Sequence, residues 1–338
     1  MASDRITLKS IAKAAEVSVS TASRVLSGAP GISASRRAQV LAAAERLGWA
    51  AEGGASSVTV LSAIDISSDG APDFLQELLR GITGACKELG LPVSMKLVSP
   101  EVPFDAADLP RAGEGARHGV ILLSLDRPDA IAALAEAGVP AVIVNGLDFA
   151  SRLPSVSSAN RSGGYLAAKH LLDLGHRRIL RLTHDRRQPI RDRFSGADIA
   201  LAEAGLVHDP ALSLPLEQMN SMCSYQAMRE ALAAGLSFTA VQSCNDVSAL
   251  GAMNALAEAG LRVPEDISVV GFDDIPSAAF ALCPLTTIGV PRPEMGAEGV
   301  RLLLRRMREP EATCPNNEIA GQLILRRSTA PLQGRGIS

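Results

Sequence analysis

Aromatic side chains make up only 3% of the 338 residues, with a single Trp and two Tyr. A core must therefore be assembled from Ala, Leu, Val and Ile. The 47% hydrophobic and 20% charged content is that of a folded chain, which excludes disorder along its length. Cysteine is sparse as well: Cys86, Cys223, Cys244, Cys283 and Cys314 are scattered, odd in number and without a Cys-x-x-Cys pair. That pattern argues against a disulfide framework and a structural zinc site, so reduced thiols and no metal or other cofactor are expected. No apolar run approaches the roughly 18 residues of a membrane span, and no apolar leader opens the chain, so a cytoplasmic location is expected. Enzyme signatures are missing too. There is no Gly-x-Gly-x-x-Gly after a strand, no phosphate-binding loop ending in Lys-Ser/Thr and no Gly-x-Ser-x-Gly elbow. His118, His170, His176, His184 and His208 fall singly, and His176, in a Leu-Gly-His-Arg-Arg turn, reads as a structural hydrogen-bonder. Nothing points to catalysis.

What is present begins at once. Residues 7–26 read as two short helices across a tight turn. Ile11 and Ala15 form one apolar stripe, Val17 plugs the turn, Ala22 and Val25 form the facing stripe, and small Ala12 lets the helices approach. Thr7 and Ser18 are placed as N-caps, each leaving a helix N-terminus free to meet a phosphate. A third helix follows, capped by Ser33, carried by Val40, Ala44 and Leu47, and stopped by Gly48. This is a helix-turn-helix head whose second helix suits the DNA major groove. Charge agrees. Residues 1–50 hold seven basic and three acidic side chains, a net +4; with the whole chain at −3, the other 288 residues carry −7. A basic head on an acidic body suits phosphate neutralisation without indiscriminate sticking of the body.

From residue 58 the text alternates strand and helix. Strands are expected at 58–64, 92–98, 120–123 and 141–144, with helices at 74–89 and 129–137. A second series runs through a helix at 160–174, strands at 179–182, 240–242 and 267–271, and helices at 193–204 and 247–259. Repeated βα units with short turns predict parallel, doubly wound sheets, and two series predict two lobes with a cleft at the carboxyl ends of the strands. The fold class expected is a small all-α head on an α/β two-lobed body.

The stretch TLKSIAKAAEVSVSTASRVLSG followed by ISASRRAQVLAAAERLGW resembles the DNA-binding head of the lactose-repressor (LacI/GalR-type) family of bacterial transcription regulators. The resemblance continues through LLDLGHRRI at 171–179, CNDVSALGAMNALAEAGLRVPEDISVVGFDDIP at 244–276 and PLTTI at 284–288, and so covers nearly the full chain. It implies a body like that of periplasmic binding proteins, crossed three times by the chain, near 157, 287 and 319. It also implies a sugar or related effector in the cleft, and a homodimer on a palindromic double-stranded operator. The domains expected are a head over 1–49, a linker over 50–57 and a body over 58–338. The body divides into a first lobe of 58–157 plus 288–318 and a second of 158–287 plus 319–332. The expected function is a ligand-responsive repressor. The alternative is a cytosolic sugar sensor with a vestigial head.

By this match Val19, Ser20 and Arg24 face the groove. Arg24 can fork onto guanine and Val19 can touch a thymine methyl, while Thr7, Ser18, Ser23 and Ser33 position on phosphates. A solvated-face role for Arg24 stays open. In the cleft, Asp273 can accept from two neighbouring hydroxyls, Asn245 offers donor and acceptor, and Arg193, expected to open its helix, can fork onto a polar ligand. Alternatively Arg193 and Asp273 bridge only each other, or Asp273 and Asp274 cap a turn. Phe74 either stacks on a sugar or starts a core helix. Ser67, Ser124 and Met219 are weaker effector candidates.

This chain also departs from the family text. Glu16 stands where the turn usually has Gly, Ala159 where an Asp precedes Asn160-Arg161, and Val290 and Arg292 where a polar and an aromatic residue are common. After Trp49 the linker Ala-Ala-Glu-Gly-Gly-Ala-Ser-Ser lacks the Leu that the family's hinge helix wedges into the minor groove; it reads as a flexible tether. The tail after residue 329 has no heptads, so a tetramer by the family's C-terminal leucine-heptad route is not expected.

Overall fold

The computed structural model describes residues 7–26, 32–46, 57–63, 73–99, 102–105, 109 and 118–332. Leu47, Gly48, Trp49, most of the linker and Ser67 lie outside them.

The head consists of α1 (Leu8–Ala14), α2 (Val19–Leu26) and α3 (Ala34–Arg46). Its core is Ile11, Ala12, Ala15, Ala22, Val25, Val40, Ala43 and Ala44, with Val17 and Ile32 packed at its edge. All three caps form. Thr7 accepts from the Ser10 amide and Ser10 returns the bond to Thr7, a reciprocal capping box. The Thr21 amide donates to Ser18 Oγ at 3.1 Å and the Arg36 amide to Ser33 Oγ at 3.4 Å. With no aromatic in this core, alanines let the three helices close on one another.

The body holds two six-stranded sheets. The first contains β1 (Ser57–Ser62), β2 (Val93–Leu97), β3 (His118–Leu123), β4 (Ala141–Val144), β5 (Ser155–Ser158) and β11 (Asn316–Ile319), in the order β11-β5-β4-β3-β1-β2, all parallel. The second contains β6 (Ile179–Thr183), β7 (Ser213–Pro215), β8 (Ala240–Ser243), β9 (Ser268–Asp273), β10 (Thr286–Gly289) and β12 (Gln322–Ile324), in the order β12-β10-β9-β8-β6-β7. There only β12 runs antiparallel to its neighbour.

The central strands of each sheet are buried on both faces, which is why they read as near-continuous apolar runs. In the first sheet Val60, Ile121, Leu123, Val142 and Val144 join the core built on α4 (Asp73–Glu88) and α11 (Arg292–Arg308). The alternating Leu61, Val120, Leu122 and Ile143 pack with α5 (Pro128–Glu136). In the second, Ile179, Ala240, Val270 and Phe272 share a core with α6 (Asn160–Asp173). Leu180, Leu182, Val241 and Val269 pack with α8 (Ser221–Ala233) and α9 (Asp246–Glu258).

The chain passes between sheets three times: from Ser158 to Asn160, from Gly289 to Arg292, and from Ile319 to Gln322. These passages lie against each other. The Ala159 amide donates to Ile319 O at 2.9 Å, and a Cβ on Gly321 would fall 2.7 Å from Gly289 O.

One expectation needs correction. The helix expected to open at Arg193 is α7 (Gln188–Glu203), so Arg193 lies in its second turn. Pro189 sits in the first turn, where its missing N–H costs nothing, and Ile190 already points inward. The charged run Asp185-Arg-Arg187 masked this start in the sequence.

Candidate functional site

Two sites follow from this arrangement. In the head, burial of Ala22 and Val25 turns Val19, Ser20, Ser23 and Arg24 of α2 outward, all exposed. Val19 is 44% exposed, so its methyl groups are open to another surface. Ser18 Oγ lies 2.8 Å from both Ser20 Oγ and Thr21 Oγ1, which fixes the start of the helix. Lys9, Lys13 and Arg36 are exposed around it. Thr7, Ser18 and Ser33 each sit at a helix N-terminus, where amides and dipole favour an anion.

In the body, the strand order reverses between β1 and β3 in the first sheet and between β6 and β8 in the second. Open sheets offer a binding crevice at such points, beyond the carboxyl ends of the strands. Ser124 follows β3, Asn245 follows β8, and Asp273 ends β9. Arg193 is brought to Asp273 by an unusually close pair of helices. A Cβ on Gly164 of α6 would lie 1.8 Å from Arg193 O, and one on Gly196 of α7 would lie 1.8 Å from Arg161 O. Backbone therefore meets backbone, and Arg193 reaches inward.

Arg193 is 5% exposed and its three nitrogens are engaged. Nε donates to Asn160 Oδ1 at 2.9 Å, Nη1 donates to the Cys244 carbonyl, and Nη2 lies 3.4 Å from Asp273 Oδ1. The guanidinium also covers the Phe272 ring at 3.7 Å, a cation–π contact. Burial pushes the Asp273 carboxyl up to about 6, against the opposing pull of Arg193 and Arg292. Behind it lies fully buried Asp246, which accepts from Thr287 Oγ1 at 2.5 Å and from the Ile275 amide at 3.0 Å. Burial, reinforced by the Asp273 carboxylate, pushes Asp246 up to about 8.

The other sequence candidates are placed as follows. Asn245 is the N-cap of α9, its Oδ1 accepting from the Ser248 amide at 2.9 Å. Phe74 is half-buried at the start of α4 and packs against core clusters of both sheets. Ser124 has a left-handed φ of 52° and accepts from Asn145 Nδ2 at 2.8 Å. Met219 is half-buried against the core of the second sheet.

Sequence reasoning missed Arg187, Asp126 and Asn145, and noted Arg292 only as a departure. Arg187 caps α7 in the second lobe, donates to the Asn145 carbonyl of the first at 2.6 Å and lies 3.6 Å from Asp126. Arg292 opens α11 and donates to the Asp274 carbonyl at 3.0 Å and to that of Asp273. Both aspartates have positive φ, 119° at Asp273 and 57° at Asp274, so the arginine braces a strained turn. No spacing rule marks these residues, because their partners lie on other segments of the chain, for Arg187 in the other lobe.

Among the described residues no group of three His, Cys, Asp or Glu could hold a metal, and no helix is long and apolar enough to cross a membrane.

Comparison with known proteins bears on both sites. Residues 7–52 match the model of bacterial regulatory proteins of the lacI family, and residues 168–329 that of a periplasmic binding protein-like domain. The HTH-type transcriptional repressor PurR of Pasteurella multocida is 30% identical over 329 residues, covering 95% of this chain and 98% of the relative. A complex of the transcriptional regulator CelR with cellobiose superposes with a TM-score of 0.70 at 28% identity, covering 96% of this chain and 100% of the other. The lac repressor dimer bound to operator and an anti-inducer has a TM-score of 0.69 at 26% identity, covering 96% and 99%.

Proposed function

Because the chain belongs to the lacI family of bacterial regulatory proteins, we propose that it is a sequence-specific DNA-binding transcriptional repressor whose grip on an operator answers to a sugar-like effector held between its lobes. The observation that carries this reading is the joining, in one chain, of an exposed α2 face on a capped three-helix head to a buried Arg193–Asp273 pair at the strand ends of a two-sheet body.

Arg24, Ser20 and Val19 read bases, while Thr7, Ser18, Ser23 and Ser33 set register on phosphates. Asp273 takes effector hydroxyls, and Arg193, its nitrogens already engaged, holds that carboxylate in place. Phe74 and Asn245 line the same crevice, with Ser124 and Met219 at its edges; Ser67, outside the described residues, stays a candidate on the sequence alone. The head spans 1–49, the tether 50–57 and the body 58–338. The operator-bound lac repressor is a dimer, and a symmetric pair of heads here suits a palindromic site in the cytoplasm. The role is regulation rather than catalysis.

Anisotropy measurements with the full-length protein test this reading. Binding to a palindromic fragment upstream of its own gene is expected to exceed binding to a scrambled duplex and to fall steeply with salt. Arg24→Ala is expected to lower discrimination between them by about 1–3 kcal/mol. Equal affinity for both duplexes, with every metabolite tried, would overturn it.

A further inference from the structure

Four buried polar atoms without a hydrogen-bond partner gather around the crevice: the donors Nε of Arg187 and Nε of Arg292, and the acceptors Asn145 Oδ1 and Asp273 Oδ1. They come from both lobes. Two have a charge nearby without a hydrogen bond: Arg187 Nε lies 3.6 Å from Asp126, and Asp273 Oδ1 lies 3.4 Å from Arg193. Arg292 is 9% exposed, and both of its hydrogen bonds go to backbone carbonyls, which leaves Nε as its unused edge. That guanidinium stands 5.9 Å from the Phe74 ring.

A buried donor or acceptor left unpaired is costly, so this set describes its ligand. The two acceptors call for hydroxyl hydrogens. The two guanidinium edges call for oxygen acceptors; their charge already strengthens a bond to any oxygen, and an anionic oxygen adds direct attraction between opposite charges and can accept in a planar, forked geometry. A neutral sugar serves the first pair well and the second poorly. Resting on the effector reading above, we propose that the effector is a polyol bearing an oxyanion, a carboxylate or a phosphate. Its hydroxyls donate to Asp273 and Asn145, and its oxyanion accepts from Arg187 and Arg292. Phe74 covers the carbon skeleton. Arg292 and Arg187 are then the residues that set specificity for charge, drawn from opposite sides of the crevice.

Isothermal titration calorimetry of the full-length protein tests the assignment. The probes are gluconate, galacturonate and glucose 6-phosphate, each beside neutral glucose or galactose. At least one anion is expected to bind tenfold or more tightly than its neutral parent, on the order of the advantage of a charged hydrogen bond. Whether the acids or the ester prevail identifies carboxylate or phosphate. Arg292→Gln is expected to cut that affinity roughly ten- to hundredfold and the affinity for the neutral parent by clearly less, since the turn that carries Asp273 loosens for both while the oxyanion contact is lost only for the acid or ester. Should Arg292→Gln fail to fold, Arg187→Gln provides the same comparison. A neutral sugar that binds as tightly as its acid and ester, and is lost in Asp273→Asn, overturns the oxyanion and leaves the effector reading standing. No binding by any probe at millimolar concentration overturns the oxyanion assignment. If operator affinity is also unmoved by all of them, the effector reading falls with it.

Discussion

Glu16 occupies the turn between α1 and α2 with φ at 49°, a left-handed conformation that an L side chain adopts at a cost of about 1–2 kcal/mol. The Val17 amide still closes the turn onto Ala12 O at 3.0 Å, so the geometry is kept and the strain accepted. Glu16→Gly should therefore stabilise the head by about 1 kcal/mol. Hydrogen exchange of the head amides in both proteins would reveal it, and unchanged or weakened protection would contradict the strain argument. A second residue-scale effect is electrostatic. Asp246 titrates near 8 in the folded protein and near its ordinary 3.8 when unfolded, so the native state binds the extra proton between those values. Stability from this group is then highest at the acid end of the window and declines as pH rises towards about 8. Asp273, raised to about 6, acts in the same direction over a narrower range. Asp246→Asn should remove much of the decline. The quantity to compare is the difference in melting temperature between variant and parent from pH 5 to pH 8, since buried histidines such as His176, held low by burial, slope the other way. A difference that stays constant with pH would show that Asp246 does not carry the effect.

Among the elements, α6 and α7 explain how a buried arginine can be placed so tightly. Gly164 and Gly196 remove both Cβ atoms where the helices touch, and Arg193 lies on the contact. Gly196→Ala would put a methyl 1.8 Å from Arg161 O, and backbone cannot yield as a side chain can. A loss of at least about 1–3 kcal/mol is expected, visible in a denaturant melt, together with weaker effector binding as Arg193 is displaced. A variant as stable as the parent would mean that the helix pair separates more easily than its geometry implies. The same scale shows why some strands escaped sequence reading. β5 is Ser-Val-Ser-Ser and β11 is Asn-Asn-Glu-Ile; both read as polar loop. They pair because the passages between lobes bring them side by side, with Ser155 Oγ donating to Asn316 Oδ1 at 2.9 Å.

Across the whole molecule, the two lobes meet directly through Arg187, which reaches from the second to the Asn145 carbonyl and Asp126 of the first. An effector that shifts the lobe angle must act on these contacts. Between the head and the body the sequence runs Ala-Ala-Glu-Gly-Gly-Ala-Ser-Ser, with no Leu to insert between base pairs. The operator centre should then be little kinked, because unstacking a central step needs an apolar wedge. Circular-permutation gel shifts of the bound operator are expected to report weak bending, and a sharp central bend would sink that expectation.

By itself the amino-acid order determined the head, its caps and the strained position at Glu16, because a helix-turn-helix is built from contacts a few residues apart. It likewise determined two series of βα units, since strands buried on both faces must be written as apolar runs. It also singled out Arg193 and Asp273, though it left open whether they face a ligand or each other. Only the tertiary structure decided that Arg193 is held within the protein by Asn160, the Cys244 carbonyl and the Asp273 charge, and that Arg187, Asn145 and Arg292 converge on the same crevice from three separate segments of the chain. Those partners lie 42 and 19 residues apart in sequence. Such pairings are set by how the two lobes close on each other, which local periodicity does not encode.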